Sequence, residues 1–189
     1  MTWFSKVFRR KAASSAPFNL HEQDNAAWKD RARIAADMVA NLPLEGHRPV
    51  KLADIGCGDC KFAAEIGARM GEVLYRGFDL LPQSPEVQRY DISTEDLPES
   101  FDIAVLLGVL EYVEDVPAAL ERLRRSVRHL VVSHSVKDAR PDPERSMRRL
   151  KWKTLMSEEE FSTALENAGF SIADRRLTAN GKTVIWACR

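Results

Sequence analysis

Two hydrophobic periodicities alternate along this chain. Short apolar runs rich in β-branched residues, at 50–55, 73–78, 101–107 and 129–133, read as buried strands. Around them, apolar residues return every three to four positions at 62–70, 116–126 and 157–168, which predicts helices. The last of these has an acidic first turn and is closed by Gly169. A leading helix is predicted over 25–42, with Trp28, Ile34, Ala35, Met38 and Leu42 on one side and Pro43 and Gly46 as its stop. The chain ends differently: runs at 170–177 and 183–188 flank Asn180-Gly181, a hairpin turn pair. Alternating strands and helices followed by a hairpin predict an α/β fold, mostly parallel, with helices on both faces of the sheet.

Residues 1–18 stand apart as an arm, ending in the turn-prone stretch Ala12-Ala13-Ser14-Ser15-Ala16-Pro17. Within it, Trp3, Phe4, Val7 and Phe8 recur at helical spacing opposite Lys6, Arg9, Arg10 and Lys11, an interfacial-helix pattern that would let residues 1–11 touch an anionic membrane. The arm lacks the apolar core of a secretory signal, and its acid-free composition is also that of a mitochondrial presequence. A flexible tail is the plain alternative. Residues 19–48 then read as a leading helix or cap and 49–189 as the main domain, with 136–154 as the one long connection inside it.

Composition narrows the class. The chain has 189 residues, 44% hydrophobic and 30% charged, enough for one well-cored domain and unlike a disordered chain. No apolar run is long enough to span a bilayer, so a soluble body is expected. Three cysteines make no disulfide scaffold and point to a reducing, cytoplasmic setting. Lys and Arg total 28 and so do Asp and Glu, but the zero net charge is a cancellation. Nine acids and no Lys or Arg lie between Tyr90 and Glu121, whereas seven bases lie between Lys137 and Lys153. Each run is equally well read as a solvated face.

The densest chemistry is Asp54-Ile55-Gly56-Cys57-Gly58-Asp59-Cys60, a strand running into a glycine turn with a helix directly after. Such turns let a ligand approach the backbone at a sheet's carboxyl edge. Asp79 ends the next strand, 21 residues beyond Gly58, the spacing at which an acid accepts from ribose hydroxyls. With these motifs the chain, from about Pro49 onward, resembles the class I S-adenosylmethionine-dependent methyltransferases. The resemblance implies a seven-stranded Rossmann-like sheet and S-adenosyl-L-methionine as cofactor. It further implies that Asp54, Gly56, Cys57 and Gly58 hold the methionine end, that Asp79 and Leu80 meet the ribose, and that Asp91 and Ile92 meet the adenine. The segment 101–113, with Leu107 and Gly108 after its strand, resembles the family's lining of the methyl-transfer site. One departure is Cys60, where the family usually has a third glycine.

Cys57 and Cys60 also form a CxxC at a helix start, so a redox pair or a regulatory disulfide across the turn is a rival reading. No second CxxC completes a zinc site, and no metal is expected. Methyl transfer from a sulfonium needs in-line positioning, plus a base when the acceptor carries a proton. His134, expected just past a strand at the sheet's carboxyl edge, is the first candidate base, with Glu111 and Tyr112 next. Against this, His134 could simply bond a loop carbonyl. His21 and Trp28 could close over the cofactor, or Trp28 could pack on the first sheet helix. Arg145, Arg148, Arg149 and Trp152 cluster on a short helix predicted at 144–152, which suits a phosphate, carboxylate or nucleotide acceptor.

Absent motifs exclude some chemistry: no GxxxxGK[ST] for an NTPase, no Asn/Asp-Pro-Pro-Tyr for base-amine methylation and no Pro-Cys for cytosine C5 methylation. The favoured expectation is O- or N-methylation of a small or saccharide-like, anionic acceptor, the saccharide suggested by a likeness to methyltransferases of bacterial surface-polysaccharide pathways. The alternatives are a tRNA or rRNA methyltransferase, and a non-catalytic fold relative docking through its basic arm.

Overall fold

The structure, a computed structural model, describes residues 26–44 and 49–189. The basic arm, His21 and the turn around Gly46 lie outside the described residues. Seven strands form one sheet: β1 (Val50–Ile55), β2 (Val73–Asp79), β3 (Gln88–Arg89), β4 (Phe101–Leu107), β5 (Val127–Ser135), β6 (Ile172–Leu177) and β7 (Thr183–Cys188), in the order β3-β2-β1-β4-β5-β7-β6. All neighbours are parallel except β7, which runs antiparallel to both β5 and β6.

Each inner strand has apolar residues on both faces, as a sheet covered on both sides requires. One face joins Ile55, Phe78, Ala104, Leu106, Val132 and Trp186 to the helices α3 (Val116–Arg124) and α5 (Glu158–Asn167). The other joins Leu52, Ile103, Val105, Val131 and Ile185 to the helices α1 (Ala26–Ala40) and α2 (Phe62–Gly67).

Local chemistry accounts for most element ends. Asp115 caps α3 by accepting from Ala118 N–H. Ser157 and Glu160 form a reciprocal capping box at α5. At the other end of α5, Gly169 takes a left-handed φ of 87°, while Phe170 N–H bonds Leu165 C=O and Gly169 N–H bonds Glu166 C=O, a Schellman closure. This closure turns Phe170 into the core, so β6 begins at Ile172 instead of 170. β5 is the larger difference. It runs from Val127 to Ser135 because β4 pairs with its start (Phe101 with Val127) and β7 with its end (Thr183 with Ser135).

Between β5 and α5 the connection folds as a 3-10 turn at Lys137–Ala139 and the helix α4 (Pro143–Leu150), capped by Asp142. No residue of α4 is buried.

Candidate active site

The strand order reverses between β1 and β4, so their carboxyl ends diverge and leave the crevice in which α/β sheets bind ligands. β1 delivers the chain to Gly56 (φ 70°) and Gly58 (φ 55°), both in the left-handed region open to glycine. Gly56 and Cys57 N–H both donate to Phe78 C=O, at 2.7 and 3.1 Å, which clamps the turn to the end of β2. Gly58 N–H donates to Asp79 Oδ2 at 2.9 Å, and Leu81 N–H donates to Asp79 Oδ1 at 2.9 Å. The acid picked out by spacing is thus tied directly to the glycine turn. Each of its oxygens retains a lone pair for a further donor. Leu80 beside it is exposed. Asp91 and Ile92 follow β3 on the same edge. Asp91 Oδ1 accepts from Ser93 N–H, whereas the Ile92 side chain is buried in the α3 face of the core.

Beneath the turn, Asp54 is 3% exposed and accepts a hydrogen bond from the Tyr75 hydroxyl. Burial pushes its carboxyl up to about 7, against the opposing effect of the Tyr75 bond. A cationic ligand group brought near Asp54 would favour its ionised form, so binding would release a proton. Affinity for S-adenosyl-L-methionine, the cofactor that the sequence resemblance implies, is therefore expected to rise by about tenfold from pH 6 to pH 8 in the wild type relative to Asp54→Asn, as calorimetry at both pH values will read. Parallel pH profiles for the two proteins would remove Asp54 from the ligand's surroundings.

At the end of β4, Gly108 (φ 78°) donates its N–H to Ser133 Oγ at 3.0 Å. Leu107 before it is half-buried against the α1 face. The Arg31 guanidinium lies against Gly108: a Cβ there would come within 2.8 Å of Nη1. Arg31 was not among the residues singled out by sequence, because its position over the β4 edge depends on how α1 crosses the sheet. Trp28, one turn earlier on α1, packs on the α1 face of the core, with Lys61 Nζ 5.8 Å from its ring centre. Lys61 precedes α2, so Trp28 sits against the start of the first sheet helix.

Glu111 and Tyr112 lie in a 3-10 turn, Leu110–Tyr112, just past the β4 edge. Tyr112 is half-buried. Glu111 is 1% exposed, with Oε1 accepting from Ser135 N–H at 2.9 Å and Oε2 without a hydrogen-bond partner among the described residues. Its carbonyl accepts from Lys153 and Thr154 N–H, at 2.8 and 3.1 Å, stitching the end of the 136–154 connection over the β4 edge.

The expected position of His134 needs correction. It lies inside β5, not beyond it, and is fully buried on the face that carries Leu130 and Val132. Its ring stacks on Phe161 of α5 (centroids 4.5 Å, 7° between planes), and Nε2 accepts from Met156 N–H. Burial holds its pKa below the ordinary histidine value. It thus stands at the carboxyl end of β5, as expected, but packed as a neutral aromatic facing the core instead of the crevice.

Of the four substrate candidates, three stand on α4 and Trp152 follows it, but only Arg148 and Trp152 line a common groove. Arg145, Arg148 and Arg149 are exposed on α4, Arg148 pairs with Glu144 at 3.4 Å, and Trp152 follows directly. The Arg140 guanidinium, a further residue missed by sequence, lies 4.7 Å above the Trp152 ring. Glu144, Met147, Arg148, Lys151 and Trp152 line an open groove of about 420 Å³. Among the described residues no cluster of His, Cys, Asp or Glu could hold a metal ion, and no helix is long and apolar enough to cross a membrane.

A family model described as a methyltransferase domain matches residues 27–174. The chain belongs to this family. It is a class I S-adenosylmethionine-dependent methyltransferase. No curated protein matches it in sequence. Solved structures agree on the fold. An S-adenosylmethionine-dependent methyltransferase from Mesorhizobium loti superposes with a TM-score of 0.66 at 18% identity, over 88% of this chain and 99% of that one. The N-methyltransferase NodS of Bradyrhizobium japonicum, in complex with S-adenosyl-L-homocysteine, gives 0.67 at 16% identity over 93% of each chain. Magnesium protoporphyrin IX methyltransferase of Synechocystis, also with bound S-adenosyl-L-homocysteine, gives 0.60 at 19% over 87% of each.

S-adenosyl-L-methionine is the methyltransferase's cofactor, and the residues at the switch point fit it. Acceptor-only carboxylates at Asp79 and Asp91 suit the hydroxyl and amine donors of an adenosine, and the glycine turn exposes backbone where a side chain would obstruct. When bound, the group supplies an activated methyl on a sulfonium, so the protein's task is to position and to exclude water.

Proposed function

We propose that this methyltransferase is a cytoplasmic enzyme that modifies an oxygen or nitrogen of a small, anionic, saccharide-like acceptor, held between the β4 edge and the 136–154 connection. The observation that carries the reading is the stitching of that connection to Glu111. It ties the end of the connection that carries α4, with its exposed arginines, and the Arg140–Trp152 stack to the turn after β4, which supports the reading. Guanidinium groups over an aromatic ring recognise phosphate or carboxylate and stack on a ring-shaped neighbour. In this reading Arg31, against Gly108, holds the cofactor's carboxylate. Asp79 orients the ribose. Glu111, buried, anchors the connection, and the half-buried Tyr112 beside it faces the acceptor's proton.

The test is transfer of labelled methyl groups from S-adenosyl-L-methionine into fractionated small-molecule and RNA extracts, followed by kinetics on the acceptor found. Reversing two exposed charges in Arg148→Glu/Arg149→Glu is expected to raise the acceptor's KM by about tenfold, at the upper end for surface ion pairs, with cofactor affinity unchanged. An unchanged KM would remove α4 from acceptor binding. Labelling confined to RNA, with steep salt dependence, would replace the small acceptor with a polynucleotide.

A further inference from the structure

Cys57 and Cys60 face each other across the glycine turn with their sulfurs 3.2 Å apart, joined by a thiol hydrogen bond. Both are partly exposed. Three further features mark the pair as more than a chance of composition. Cys60 holds a left-handed φ of 59°, a conformation that L side chains occupy at a cost and glycine does not. Cys60 N–H closes a tight turn onto Cys57 C=O at 2.8 Å. Gly77, in the neighbouring β2, has no room for a side chain: a Cβ there would lie 2.8 Å from Cys60 Sγ and 2.9 Å from Cys57 Sγ. The two thiols therefore share a recess floored by Gly77.

From this geometry we propose that Cys57 and Cys60 are an oxidative modification site, at which a hydroperoxide closes a disulfide that loosens the turn's hold on the cofactor. Cys60 is the attacking thiol. The hydrogen bond shared with Cys57 holds its pKa below the ordinary thiol value, whereas the same bond, and then burial, raise that of Cys57. The Cys60 thiolate attacks one peroxide oxygen, the O–O bond breaks, and the departing hydroxide takes a proton to leave as water. Cys57 then attacks the resulting sulfenic sulfur and a second water departs, so two thiols and one peroxide become one disulfide and two waters. The sulfurs must close by about 1 Å to reach bonding distance. Gly58 lies between the two cysteines, and its N–H is the one that orients Asp79. Drawing the cysteines together displaces that N–H.

The proposal rests on the cofactor sitting over this turn, and the experiment separates the two claims. The full chain is treated with hydrogen peroxide, free thiols are counted by alkylation and mass, and S-adenosyl-L-methionine is titrated before, after and on return to dithiothreitol. Two of the three thiols are expected to be lost together, as an intramolecular disulfide between Cys57 and Cys60, with Cys188 remaining. Affinity is expected to fall by about tenfold, the worth of one charge-assisted hydrogen bond, and to recover on reduction. Cys60→Gly, which suits the left-handed backbone, is expected to bind alike in both buffers. Thiols that stay alkylatable, a disulfide with unchanged affinity, or an equal loss in Cys60→Gly would each overturn the proposal. Absence of binding by the reduced protein would instead overturn the cofactor's placement over the turn, and with it the effect assigned to the disulfide.

Discussion

Asp79→Ala is expected to weaken S-adenosyl-L-methionine binding by about a hundredfold, the loss of the two charge-assisted hydrogen bonds of about 1.5 kcal/mol each that the proposed ribose contact would make. The carboxylate is aligned before any ligand arrives, since Gly58 and Leu81 N–H each donate to one of its oxygens. Alanine removes the acceptor and also releases the Gly58 amide, so the glycine turn loses its tie to β2 at that point. Asp79→Asn keeps one acceptor oxygen and is expected to fall between the two. Calorimetry with the cofactor and its demethylated product reads the effect. Asp79 is half-exposed at a strand end, so both variants should melt within a few degrees of the wild type. Wild-type affinity in Asp79→Ala would end the ribose assignment.

Gly56→Ala is expected to be the most damaging single-methyl change for stability. The residue sits at φ 70°, which costs an L side chain about 1 kcal/mol. The added Cβ would also stand 2.4 Å from Val109 Cγ2, an overlap whose relief costs about 1–3 kcal/mol. The sum of about 2–4 kcal/mol corresponds to a fall in melting temperature of roughly 5–15 °C for a domain of this size. Val109 lies just past β4, so the clash couples the β1 turn to the β4 turn, the two walls of the crevice. The double variant Gly56→Ala/Val109→Ala should recover the overlap part and leave the backbone part. If the second substitution rescues nothing, the close approach of these two turns is not what makes position 56 a glycine.

Three strands, β1, β4 and β7, have the bounds read from their apolar runs, because each is a central strand whose ends are marked by a turn or a charge. The capped helices were almost as readable, since a cap involves residues only a few positions apart. β5 was underestimated by two residues at each end. Arg128 and His129 interrupt its apolar run, and its full length comes from partners 26 positions before it and 48 after it. The same error misplaced His134. Side chains alternate across a sheet, so the side a residue faces depends on where its strand ends and what packs there. In the structure, 134 shares the face of 130 and 132 and meets Phe161.

Within the site, the glycine turn and the spacing to Asp79 were legible because a βαβ unit is a local arrangement, complete within about thirty residues. Arg31 and Arg140 were not, because each reaches the site from an element whose approach to the sheet is set by packing. The opposed charge runs were visible as composition. That three bases of the second run stand on a helix with no buried residue, and that the segment after this helix is stitched to Glu111, are tertiary facts.

The sequence by itself determined the alternation of strand and helix, the glycine turn after β1, the acid that ends β2 and the caps that end the helices. Those features rest on backbone dihedrals and hydrogen bonds between near neighbours. Only the tertiary structure decided that His134 faces the core, that Arg31 lies against Gly108, and that Gly77 makes room for the two thiols of the glycine turn. These depend on register and on helix placement, which are settled by the simultaneous burial of both faces of the sheet.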